Sequence, residues 1–214
     1  MHEFSEDLKR QIEAGARILK AGGVVAYPTD TVYGLGASMV VAAGVEKVFV
    51  VKSRPRHMPL PLLVSSVSQI EGLASEVSSA GRCLIDAFLP GALTLVLRAS
   101  PRVPAYLVAE EGTVALRIPN HPVPLALVDA IGVGLVGTSA NVSGSPSPLT
   151  SEEVHRQLDD KVDLIIDGGE CPGTESTIVD VTGKTPVVLR AGAIAAEEIE
   201  RVCGTALSGN VRLK

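Results

Sequence analysis

Gly22-Gly23-Val24-Val25-Ala26-Tyr27-Pro28-Thr29-Asp30-Thr31-Val32-Tyr33-Gly34-Leu35-Gly36 joins a helix, a strand and a loop rich in turn-forming side chains. The paired glycines stop what precedes them, the four apolar residues that follow read as a buried strand, and Pro28 ends it. Upstream, Phe4, Leu8, Ile12, Ile18 and Leu19 recur near helical spacing, with Ser5 placed to cap the helix. Downstream, Thr and Asp side chains can close turns on their own backbone, and the glycines permit close approach to a ligand. On turn chemistry alone the same segment is equally a plain strand-to-helix connection.

Further short β-like runs fall at 60–64, 93–97, 114–118, 135–137, 164–166, 177–181 and 187–189. Between them lie helical stretches at 42–50, 67–74, 80–88, 123–131, 152–158 and 195–202, and Thr150 with Glu153 has the form of a capping box. Interspersed strands and helices predict an α/β or α+β sheet covered by helices. The strand runs between 164 and 189 lack intervening helices, so an antiparallel portion is expected within a mixed sheet.

The chain has 214 residues, a formal net charge of −5 and 46% hydrophobic residues. At that length roughly 70% of the unfolded surface can be buried, so neither disulfides nor metals are needed as staples. Three Phe, three Tyr and no Trp predict an aliphatic core. The acidic balance argues against a surface that coats nucleic acid, though a local basic cleft is compatible with it. Cys83, Cys171 and Cys203 form no C-x-x-C pair and read as reduced structural thiols. Met1 leads into Glu3, Glu6 and Asp7 with no apolar h-region, and the most apolar stretch, 123–137, is too short for a membrane span. A cytoplasmic protein without signal peptide or membrane contact is expected.

No phosphate-binding P-loop occurs, Gly34-Leu35-Gly36 lacks the third glycine of a dinucleotide fingerprint, and no nucleophile elbow or zinc-protease motif is present. The four histidines are scattered, His2 and His155 reading as surface residues. What remains is a set of loops that follow strands. Lys52-Ser53-Arg54-Pro55-Arg56-His57-Met58-Pro59 places three cations in five residues, stiffened by two prolines, which suits a carboxylate or phosphate, or else forms a solvated turn. Arg117 follows an apolar run, and Gly137-Thr138-Ser139-Ala140-Asn141-Val142-Ser143-Gly144 offers hydroxyls and amides for a phosphate. Glu175-Ser176-Thr177 opens a strand, and Leu189-Arg190-Ala191-Gly192 closes one. Converging, these loops would build one cationic, hydroxyl-lined cleft.

Taken in order, Pro28-Thr29-Asp30-Thr31-Val32-Tyr33-Gly34-Leu35, Lys52-x-Arg54-Pro55, Pro90-Gly91-x-Leu93-Thr94, Arg117-Ile118-Pro119, Thr138-Ser139-Ala140-Asn141-x-Ser143-Gly144, Ser176-Thr177-Ile178 and Arg190-x-Gly192 resemble the YrdC family of threonylcarbamoyl-adenylate synthases over nearly the whole chain. The resemblance implies an α/β fold: a twisted, open, mixed and mostly parallel sheet with flanking helices and a concave basic face. It implies that L-threonine, bicarbonate or CO2, and ATP yield threonylcarbamoyl-AMP and pyrophosphate. A partner tRNA threonylcarbamoyl transferase would then modify an adenosine beside the anticodon, and tRNA itself is a candidate ligand. On the same basis Lys52 and Arg54 would be catalytic. Thr29, Thr31, Tyr33 and Arg117 would shape the threonine and carbamate side, with Arg117 pairing an anionic group, and Ser139, Asn141, Ser176 and Arg190 would hold the nucleotide. Mg2+ is expected with ATP, bound mainly through phosphates and water.

Departures from the family pattern include Met58, where Lys or Asn is common, and Leu89 and Ala92 in place of Trp and Pro. With 22 residues after Gly192, residues 1–214 are expected to form a single domain without the second domain of longer relatives. The alternatives are an RNA-binding module, a carbamoyl-adenylate enzyme akin to hydrogenase-maturation proteins, and a paralogue without synthase activity. Sparse aromatics disfavour the first, and the lack of a zinc motif disfavours the second.

Overall fold

The computed structural model describes residues 4–207, so the reading of His2 lies outside the described residues. Helix α1 (Glu6–Lys20) begins where expected: the Leu8 N–H donates to Ser5 Oγ at 3.2 Å, and acidic residues occupy the first turn. Charges of that sign suit the positive end of the helix dipole. Gly22 takes a φ of 88°, which ends the helix and turns the chain into β1 (Val25–Tyr27).

Strand β1 alternates between two cores. Val25 and Tyr27 join a cluster with Ile12, Leu19 and Leu127 from the helices, while Val24 and Ala26 join the larger cluster that contains Leu35, Val48 and Leu62. That is the period-two geometry of a strand covered on both faces. The core is mostly aliphatic, with Tyr27 and Tyr33 fully buried and Phe49 buried as well, so the low aromatic content did not exclude aromatics from the interior.

The remaining helices are α2 (Ala42–Lys52), α3 (Val67–Leu73), α4 (Ser79–Phe88), α5 (Pro122–Ile131), α6 (Ser151–Leu158) and α7 (Ala196–Cys203). Each coincides with a helical stretch of the sequence to within two residues. At α6, Thr150 Oγ1 accepts from the Glu153 N–H, but the Glu153 carboxylate reaches the N–H of Leu149 rather than that of Thr150. His155 lies exposed on the same helix.

The strands are β2 (Gly34–Gly36), β3 (Leu62–Leu63), β4 (Leu93–Arg98), β5 (Thr113–Arg117), β6 (Leu135–Val136), β7 (Thr138–Ser139), β8 (Leu164–Ile165), β9 (Thr177–Asp180) and β10 (Val187–Arg190). They form two mixed sheets, ordered β7-β2-β1-β8 and β10-β9-β4-β5-β3-β6. A Ser38–Leu135 bridge adjoins the two. The mostly parallel sheet implied by the resemblance is corrected: among the described residues, five of the eight strand pairings are antiparallel. The cause is connection length and content, since β1–β2, β4–β5 and β9–β10 are joined without a crossover α-helix and so must run antiparallel. The expected antiparallel portion is the β9–β10 pair, whereas β8 leaves it to run parallel to β1.

Strand β2 carries the main difference from the sequence reading, because Gly34 and Gly36 bring protein against protein. A Cβ on Gly36 would stand 2.5 Å from the Val136 carbonyl oxygen, and one on Gly34 would stand 2.7 Å from the Tyr27 ring. The glycines let the Tyr27 ring lie across β2 and donate its hydroxyl to Val136 O at 3.1 Å. Gly36→Ala is therefore expected to lower unfolding free energy by about 2 kcal/mol through overpacking against backbone that has no rotamer to yield, as read by urea denaturation.

Candidate active site

Strand ends and the loops that leave them enclose a cavity of about 400 Å3. Thr29 and Thr31 reach it from the β1–β2 loop, Arg54 and His57 from the segment after α2, and Arg117 from the end of β5. Thr138 and Ser139 contribute from β7, Glu175 and Ser176 from the start of β9, and Arg190 from the end of β10.

The β1–β2 loop is held by its own hydroxyls. Thr29 Oγ1 donates to Val32 O at 2.7 Å and accepts from the Thr31 N–H at 3.0 Å. Arg117 completes the arrangement: Nη1 donates to Thr31 Oγ1 at 3.0 Å, Nε to Gly91 O at 2.9 Å, and Nη2 to Asp30 Oδ1 at 2.6 Å. The anionic group paired with Arg117 in the structure is thus a carboxylate of this chain, while Arg117 itself lines the cavity. Its donors position the loop on the cavity wall.

The placement of Lys52 departs from the direct catalytic role expected of it. Its side chain is 1% exposed and does not line the cavity. Nζ donates to Ser139 O, to Asn141 O at 2.7 Å and to Asn141 Oδ1 at 2.9 Å. Three acceptors require three hydrogens, which only the ammonium carries. Burial and the Arg54 charge press its pKa down to about 7, against the opposing pull of Glu175. Lys52 is therefore a positioning residue that pins the loop after β7 from behind.

Asn141 is buried within that assembly, accepting from Ser139 Oγ at 2.6 Å and donating Nδ2 to Ser145 O, so it too stands behind the wall. Tyr33 is likewise away from the cavity: it donates to Gly169 O at 3.0 Å, and burial pushes its phenol up to about 12. Ser176 Oγ lies 2.9 Å from Thr94 Oγ1 and accepts from Arg190 Nη2 at 3.1 Å. Of the basic segment, Arg54 faces the cavity, with Nε and Nη2 held by Met58 O and Pro59 O. Arg56 turns away, pairing with Glu46 and lying 5.4 Å over the Phe49 ring.

Burial depresses the pKa of Arg54 and of Arg190, and Arg190 adds to the effect on Arg54. Asp30 pairs with Arg117 and Glu175 with Arg190, whereas Arg54 has no carboxylate partner among the described residues. Glu175, Thr94, Thr138, Tyr27 and His57 were not singled out as site residues from sequence, although all five lie inside the stretches quoted above.

A family model described as "Telomere recombination", for Sua5, YciO and YrdC proteins, matches residues 17–192. The chain belongs to the Sua5/YciO/YrdC family. It is 41% identical over 205 residues to the threonylcarbamoyl-AMP synthase of Pyrococcus abyssi, covering 95% of this chain and 60% of that protein. A putative threonylcarbamoyl-AMP synthase of Mycobacterium tuberculosis H37Rv is 42% identical over 200 residues, covering 93% of this chain and 92% of that one. Among solved structures, Pyrococcus abyssi Sua5 complexed with L-threonine superposes with a TM-score of 0.90 at 40% identity, over 96% of this chain and 60% of that one. The chain thus spans about three-fifths of the length of the Pyrococcus relative.

In this Sua5/YciO/YrdC domain the buried Asp30–Arg117 pair has side chains 15% and 7% exposed. Asp30→Asn should cost about 3 kcal/mol, because it leaves a guanidinium buried beside a neutral amide. Lys52→Met should cost about 2–4 kcal/mol, since three oxygens at Nζ lose their donor. Urea denaturation at pH 7 checks both, and unchanged midpoints would contradict the positioning roles.

Proposed function

We propose that this chain is an L-threonylcarbamoyladenylate synthase, a nucleotidyltransferase acting on L-threonine, bicarbonate or CO2, and ATP carrying Mg2+. The observation that carries this reading is the placement of Arg54 and Arg190 in one cavity, close enough for the charge of one to depress the pKa of the other. Like charges so placed repel until an anion lies between them. Threonylcarbamoyl-AMP synthase relatives at 41–42% identity, and the threonine complex of Pyrococcus abyssi Sua5, supply the substrates.

In the first step the threonine amine adds to CO2, loses a proton to solvent and becomes a carbamate. A carbamate oxygen then attacks the α-phosphorus, the bond to the β-phosphate bridging oxygen breaks, and pyrophosphate leaves with the electron pair. Both reactants are anions, so Arg54 and Arg190 lower the barrier by neutralising charge as the two approach. Hydroxyls of Thr94, Thr138, Ser139 and Ser176 orient the phosphates. No covalent nucleophile is needed, because positioning and electrostatics are sufficient.

Mg2+ enters with ATP, held by phosphate oxygens and water. Glu175 on the cavity wall and Asp30 in the adjoining loop are already engaged by guanidinium groups. The product is a reactive mixed anhydride, which requires a tRNA threonylcarbamoyl transferase close at hand and places the reaction in the cytoplasm. No helix among the described residues is long and apolar enough to cross a membrane. A cavity of about 400 Å3 with Tyr27 as its aromatic suits one nucleotide better than a stacked RNA strand.

Incubation with ATP, Mg2+, bicarbonate and L-threonine should yield threonylcarbamoyl-AMP by mass spectrometry, together with pyrophosphate. A folded protein that binds ATP without forming this product, or that binds tRNA with steep salt dependence instead, would overturn the reading. Arg54→Ala should lower turnover by about tenfold to a hundredfold. Its melting temperature should stay near that of the wild type, because the guanidinium donates to two loop carbonyls at the cavity edge.

A further inference from the structure

Glu175 has no part in the reaction just described, yet its carboxylate stands in a cavity that holds three guanidinium groups. Oε2 lies 2.5 Å from Arg190 Nη1, and Oε1 accepts from Ser147 Oγ at 2.7 Å. The pair differs from Asp30–Arg117 in exposure. Side chains of Arg190 and Glu175 are 41% and 38% exposed, against 7% and 15% for Arg117 and Asp30. A buried pair is costly to break, whereas a half-exposed one is screened and weak.

Arg190 has a second set of anchors that do not depend on Glu175. Nε and Nη2 donate to Ser176 O at 3.2 and 2.7 Å, and Nη2 also reaches Ser176 Oγ. The guanidinium is thus fixed by one edge while Nη1 is presented to the carboxylate. An oxygen of another anion could take the carboxylate's place without moving the guanidinium.

We propose that Glu175 is a displaceable counterion of Arg190, holding the Nη1 edge until a phosphate oxygen of ATP takes it. This rests on the synthase reading, which supplies the polyanion. The exchange favours ligands of high charge, because a weakly charged anion gains too little from Arg54 and Arg190 to expel the carboxylate. It also releases Ser147, coupling nucleotide entry to the loop before α6.

Calorimetric titration of ATP into wild type and Glu175→Gln, each in Mg2+ and in EDTA, tests this. Removing the competing charge should tighten ATP binding about fivefold in both buffers. Glu175→Asp, which keeps the charge but shortens its reach, should tighten binding less, and it serves if the Gln variant does not fold. Unchanged or weaker binding by both variants would overturn the proposal, as would weakening confined to Mg2+, which would make Glu175 a metal ligand. A folded wild type that binds no ATP in either buffer would remove the synthase reading itself, and the counterion with it.

Discussion

The cavity wall depends on one buried charge. Lys52 ends α2, and its ammonium places hydrogens on one oxygen of Ser139, the last residue of β7, and two of Asn141 beyond it, while the Ser143 N–H returns a hydrogen bond to Lys52 O at 2.9 Å. A buried cation is tolerable only when its hydrogens are all received, and here the receivers are groups of the segment that carries Ser139 to the cavity wall. The next residue, Ser53, adopts the left-handed conformation at φ 51°, which ends the helix and turns the chain. That turn separates two cations only two positions apart: Lys52 stays behind the wall, and Arg54 emerges in front of it.

Arg117 repeats the principle at the other end of the cavity. A charged side chain at the end of a buried strand must find partners, and it finds Asp30, Thr31 and the Gly91 carbonyl. The Pro28-Thr29-Asp30-Thr31 loop is thereby fastened to the neighbouring sheet, and the two sheets present one wall. Its hydroxyls are mutually satisfied before any ligand is considered, so the loop holds its shape without one.

The helices were legible because periodicity and caps are local: Ser5, Gly22 and Thr150 act within one turn of the residues they govern. Strands β2 and β7 were not, because Gly-Leu-Gly and Thr-Ser carry no alternation of apolar and polar residues, and their pairing is set by distant strands. The site was legible as a set of segments. Which side chain of each segment faces inward was not, since Lys52 and Arg54, or Ser139 and Asn141, differ only in where the backbone turns them. Met58, where the family commonly has a polar residue, does line the cavity, and it places an apolar surface beside His57 and Arg54.

The four cations around the site form a series in how far each is already neutralised. Lys52 is enclosed by acceptor oxygens, Arg117 is locked to a buried carboxylate, Arg190 shares a half-exposed one, and Arg54 has only carbonyl partners among the described residues. The first two therefore organise loops and the last two remain available to an incoming anion. This ordering reconciles the proposed polyphosphate site with a protein whose formal net charge is −5. What attracts the ligand is local charge left incompletely compensated where the cavity opens, while the deeper charges, fully compensated, keep that cavity in shape.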